Sequence, residues 1–149
     1  MIGLITWNVQ SARTAAGTPD WQRVVAALWR FHDADILCLQ EVSSGFPAPD
    51  AIPRVLDAVL AGDFNMLPGA PERQRLLAPF DDGTPAWHDA WQLARPGQAH
   101  APTVGIRGPD PYTFDYAFVG ARLAPRVRGV RVDAAAGGSE HQPLLLEMD

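Results

Sequence analysis

Asn8, Glu41 and Asp63 each stand where a short apolar run gives way to polar residues, and each carries an oxygen able to bind a cation or a phosphate. In layered α/β proteins ligands sit at the carboxyl ends of strands, so three such side chains on three buried strands would converge. Asn65, two residues beyond Asp63, adds an amide to that carboxylate. Asp115 lies between Phe114 and Tyr116, in a run that reads as a half-buried strand, where a charge needs a partner. His141 follows Ser139 and Glu140, and a carboxylate beside a histidine holds the imidazole protonated or in one tautomer. Taken singly, each has a plainer reading. Asn8 suits a strand-end turn, Glu41 a solvated terminus, Gly62-Asp63 a tight turn and His141 an exposed surface position.

The elements that must position these residues follow from the hydrophobic pattern. Ile2 to Trp7 reads as a strand, as do Ala34 to Leu39 and Ala58 to Ala61, the second buried on both faces. Between the first two, Thr18 offers an N-cap with Pro19 in the first helical position. Trp21, Val24, Val25, Leu28 and Phe31 then recur at helical spacing, which predicts an amphipathic helix of about four turns. Ser43 to Pro53 is rich in Ser, Gly and Pro and reads as loop. Pro71 to Leu77 and His88 to Leu93 read as short helices, and Thr113 to Val119, Arg126 to Val132 and Pro143 to Met148 as strands, the last opened by His141. Alternating strand and helix early, with strands dominating late, indicates an α/β or α+β layered fold. At 149 residues, one domain spanning 1–149 is the expectation.

The segments Thr6-Trp7-Asn8-Val9, Leu39-Gln40-Glu41-Val42, Ala61-Gly62-Asp63-Phe64-Asn65, Thr113-Phe114-Asp115-Tyr116 and Ser139-Glu140-His141-Gln142-Pro143 resemble, in the same order, those of the endonuclease/exonuclease/phosphatase superfamily, the deoxyribonuclease I-like fold. The Gly-Asp-Phe-Asn block is the most specific of them. The resemblance covers roughly 1–46 and 57–149, and implies a shortened four-layer α/β sandwich, two sheets face to face with helices outside. It also implies a phosphoesterase site in which Glu41 coordinates Mg²⁺ or Mn²⁺ with Asn8 beside it, and Glu140 stands near the metal. Asp63 would orient or deprotonate the attacking water, Asn65 would hydrogen-bond the phosphate or that water, and Asp115 would hold the His141 imidazolium against a phosphoryl oxygen.

The chemistry is independent of the family. Phosphodiester hydrolysis passes through a five-coordinate phosphorus with extra negative charge on its oxygens, which a metal ion and an imidazolium neutralise while a carboxylate serves the nucleophilic water. Oxygen ligands suit Mg²⁺ or Mn²⁺ better than zinc, and His32, His88 and His100 form no ligand cluster in the sequence. The sequence departs from the family pattern in two places. Only 22 positions separate Glu41 from Asp63, where family members carry several strands and a helix, and Glu140 replaces the usual Asp before the histidine. A non-catalytic, shortened family member acting as a binding or oligomeric protein is therefore the alternative.

Composition narrows the choices further. All 12 basic residues are Arg, which excludes lysine Schiff-base chemistry and a P-loop. A formal charge of −5 argues against coating nucleic acid by bulk electrostatics. DNA, RNA or a small phosphoester remains a possible substrate, with Arg73, Arg75, Arg107, Arg122, Arg126, Arg128 and Arg131 as candidates to line a groove locally. The single Cys38, the absence of a signal-like start and the lack of a long apolar run point to a soluble, cytoplasmic protein without a membrane partner.

Overall fold

The computed structural model describes residues 4–8, 20–28, 36–40 and 58–149. Thr18, Pro19, His32, Glu41 and the connection expected around 43–57 lie outside the described residues. Strand β1 (Leu4–Asn8) pairs in parallel with β2 (Ile36–Gln40), which pairs in parallel with β3 (Val59–Asp63). Parallel neighbours need a crossover, and helix α1 (Trp21–Leu28) lies between β1 and β2 in the chain. At its N-terminus Asp20 Oδ1 accepts the Arg23 amide at 3.1 Å, a capping bond.

The chain then changes direction. Strand β5 (Asp115–Gly120) runs antiparallel to β3 and to the short edge strand β4 (Trp87–Asp89), giving a five-stranded sheet in the order β1-β2-β3-β5-β4. Strands β6 (Val127–Val132) and β7 (Leu144–Met148) form a second, antiparallel sheet. Helix α2 (Pro71–Leu77) begins at its proline as expected. The helix expected over His88–Leu93 is shorter: Trp87–Asp89 belongs to β4, and helix α3 (Ala90–Ala94) follows. Asp89 draws that boundary by accepting the Trp91 amide at 2.8 Å and the Gln92 amide at 3.4 Å. Likewise Pro125 sits in a short 3₁₀ turn (Ala124–Arg126), and β6 starts one residue later than the pattern indicates.

Period-two alternation on β3 and β5 sorts the core onto two faces. Leu60, Tyr116 and Phe118 face one way and pack with Val24 of α1, Leu76 of α2, Phe64 and Trp87. Val59, Ala117 and Val119 face the other way, against Ala90 and Trp91 of α3 and Val130 of β6. Each fully buried side chain such as Leu60 or Phe118 contributes about 1.5–3 kcal/mol. Phe64 meets the Phe118 ring edge-on at 5.2 Å, which fixes the chain immediately after Asp63. No helix among the described residues is long and apolar enough to cross a membrane. Cys38 is a free, half-buried thiol in β2, and burial raises its pKa.

Candidate active site

Register places the strand ends together. Asn8, the last residue of β1, pairs with Gln40, the last of β2. The β2–β3 pairing Cys38↔Ala61 lies two residues before Gln40 and Asp63. Asp63 in turn faces Asp115, the first residue of β5. Three strands that end and one that begins thus bring their site residues to one rim of the sheet. Glu41, one residue past Gln40, lies outside the described residues, and the backbone alone describes Asn8.

On this rim the His141 ring stands between two carboxylates. Its Nδ1 is 3.0 Å from Asp115 Oδ2, and its Nε2 is 4.0 Å from Asp63 Oδ2. The three side chains are 40%, 17% and 25% exposed respectively, open enough to meet a substrate. Asp63 uses its other oxygen, Oδ1, to accept the Asn65 amide at 2.9 Å. That bond closes a turn in which Asn65 has φ +49°, a left-handed conformation uncommon outside glycine and enriched at functional sites. Asn65 is left exposed beside the carboxylate. The Phe64 amide, bonded to the Phe114 carbonyl at 2.9 Å, ties this turn to the segment entering Asp115.

His141 is positioned from both sides along the chain. Ser139 Oγ accepts its amide at 3.1 Å. The next residue, Gln142, is buried, and with its amide nitrogen toward the carbonyls of Asp133 and Ala136, each at 3.1 Å, it anchors the turn. His141 forms a bridge with Val104 and does not open β7, which starts at Leu144. Glu140 is exposed and participates through its backbone, its carbonyl accepting the Gly105 amide at 3.1 Å. The carboxylate that holds the imidazole is Asp115, 26 residues away, and the adjacent Glu140 does not perform that task.

For a divalent cation, the described donors on the rim are the carboxylates of Asp63 and Asp115 and the amide of Asn65, an oxygen set of the kind Mg²⁺ or Mn²⁺ takes. Among the described residues no three His, Cys, Asp or Glu side chains gather into a metal cage. The chemistry of these donors fits such an ion.

A second polar cluster escaped the sequence reading. Asp89 Oδ2 receives Arg73 through Nε at 3.2 Å and Nη2 at 2.5 Å, and His100 Nε2 lies 2.8 Å away. Burial works to raise the Asp89 pKa, but hydrogen bonds from His100 and Arg73 outweigh it and hold the carboxyl below its ordinary value. Arg73 is thereby committed to the interior and does not line a groove. Arg75 pairs with Glu72, Arg128 with Asp149, and Arg107 donates to the Ala136 carbonyl at 2.9 Å.

Comparison with known proteins bears on the fold and the family. The chain is similar to an AP endonuclease from Archaeoglobus fulgidus, at 15% identity and a TM-score of 0.53, over 98% of this chain and 61% of that one. It is similar also to a 3′ phosphatase, NExo, from Neisseria, solved with a product DNA hairpin, at 20% identity and a TM-score of 0.53, over 98% of this chain and 60% of that one. The chain spans about three-fifths of the length of these structures, and they establish the deoxyribonuclease I-like fold. No curated protein matches it. The family model for the Endonuclease/Exonuclease/phosphatase family matches residues 5–141, from β1 to His141, and the chain belongs to that family.

Proposed function

We propose that the chain is a divalent-metal-dependent phosphoesterase that hydrolyses phosphodiester bonds, with nucleic acid as the favoured substrate class. The observation that carries this reading is the His141 ring held at Nδ1 by Asp115 with Nε2 directed toward Asp63, on the rim where β1, β2 and β3 end. Asp63 orients the water and accepts its proton as the water oxygen bonds to phosphorus and the bond to the leaving oxygen breaks. Asn65 hydrogen-bonds a phosphoryl oxygen or the water. With Nδ1–H donated to Asp115, the His141 imidazolium presents Nε2–H to a phosphoryl oxygen gaining charge. Glu41 and Asn8, with Glu140 near them, would hold the Mg²⁺ or Mn²⁺, which when bound neutralises charge on the phosphoryl group. The preference for nucleic acid draws support from the neighbour solved with a DNA hairpin.

The test is Mg²⁺-dependent hydrolysis of a chromogenic phosphodiester and of plasmid DNA, with Asp63→Ala and His141→Ala as controls. Turnover lost on chelation, and reduced about 10²–10⁴-fold in either variant, is expected. Metal-dependent turnover no greater in the natural chain than in the variants would reject hydrolysis and favour the binding-only alternative.

A further inference from the structure

Asp115 and His141 are joined by a segment that touches both of their backbones. Residues 103–105 lie between the strand-like approach to Asp115 and the turn carrying His141, with Val104 bridging Tyr112 on one side and His141 on the other. Toward Asp115, the amides of Thr103 and Val104 each donate to the Tyr112 carbonyl at 2.9 Å. Toward His141, the Thr103 carbonyl accepts the Gln142 amide at 2.7 Å, and the Gly105 amide donates to the Glu140 carbonyl. The Thr103 side chain is 1% exposed, and its Oγ1 accepts two amides, from Phe114 and from Asp115 itself, each at 3.1 Å. An ordinary ladder would supply two carbonyls for those donors. Here one hydroxyl replaces them where β5 begins, so a single residue sets the Asp115 backbone with its side chain and the Gln142 backbone with its carbonyl.

We infer that Thr103 is the positioning residue of the site: its hydroxyl sets where Asp115 begins, and thereby the distance between Asp115 and the His141 imidazole. This inference rests on the phosphoesterase reading for its kinetic consequence but not for its geometry. Removing the hydroxyl leaves two amides buried without an acceptor, which shifts the Asp115 backbone toward other partners. Misplacement of a reacting group by about 1 Å lowers turnover up to about 100-fold without a matching loss of ground-state binding.

The experiment compares Thr103→Val, which keeps the shape and loses the hydroxyl, with Thr103→Ser, which keeps it. Steady-state kinetics are measured with Mg²⁺ and a chromogenic phosphodiester, and hydrogen exchange of the Phe114 and Asp115 amides, the two that Thr103 Oγ1 accepts, is followed by NMR in each folded variant. For Thr103→Val we expect kcat to fall about 10- to 100-fold with KM within about threefold, and both amides to exchange faster. Thr103→Ser should restore turnover to within about threefold of the natural chain and restore the amide protection. Should Thr103→Val not fold, Thr103→Cys, whose sulfur is a weak acceptor, replaces it with the same expectations. A folded Thr103→Val with unchanged protection of the two amides overturns the inference, as does a Thr103→Ser variant equally impaired. If the natural chain shows no turnover, the phosphoesterase reading fails, and the exchange of the two amides still decides the role of Thr103.

Discussion

Among the described residues two histidines contact aspartate, and their surroundings differ in the ratio of acid to base. At Asp89 one carboxylate is shared by a guanidinium and an imidazole, and the side chains of Asp89 and His100 are 3% and 7% exposed. At the sheet rim the ratio is inverted: two carboxylates flank one imidazole, which is 40% exposed. His100 is further enclosed by Trp91, stacked at 5.7 Å, and by the edge of Tyr116 at 5.4 Å. A buried carboxylate satisfied by a guanidinium, an imidazole and the amides of α3 holds elements together. An open, acid-rich pair with ring and carboxylate directed to solvent suits a cation and a phosphate. The same residue types therefore do different work according to burial and stoichiometry.

This contrast can be broken in order of expected effect. Replacing Asp89 with Ala leaves Arg73 and His100 buried without their acceptor and removes the cap of α3. We expect a loss of about 3–5 kcal/mol in urea unfolding, the range for breaking a buried pair from one side. A loss below 1 kcal/mol would place Asp89 outside the structural frame.

Next come the two histidines compared directly. His100→Ala should cost about 1–3 kcal/mol of stability through the unsatisfied Asp89 oxygen. His141→Ala should stay within about 0.5 kcal/mol, as exposed substitutions do, while turnover is lost. Equal destabilisation by the two substitutions would erase the distinction between the clusters.

The smallest effect is in pH dependence. Because the folded Asp89 pKa is lowered, its stabilisation is fully present above the unfolded value of about 3.9 and is lost as pH falls through the lower folded value. Urea midpoints measured from pH 6 down to pH 2 should show this acid-side loss, and Asp89→Asn should flatten it. An unchanged acid slope in the variant would assign the loss to other carboxylates.

Several of these features were visible in the sequence because their signals are local. Apolar runs ending at Trp7, Leu39 and Ala61 marked the strand ends to within two residues, Pro71 marked the start of α2, and the Asp-Phe-Asn turn lay in three consecutive residues. The break between β4 and α3 was not visible, since His88 to Leu93 reads as one short helix until Asp89 is seen accepting the Trp91 amide. The support for the rim was hidden for the same reason. Thr103 stands 12 residues from Asp115 and Arg73 stands 16 from Asp89, and no spacing rule links them.

The sequence by itself determined which residues sit at strand ends and which types of chemistry they can perform, because strand periodicity and side-chain functional groups are local properties. Only the tertiary structure decided which carboxylate holds His141, which arginine is removed into the core, and which hydroxyl carries the Asp115 amide. Those outcomes depend on where distant segments meet when the two faces of the central sheet are buried, and burial determines which polar groups must pair.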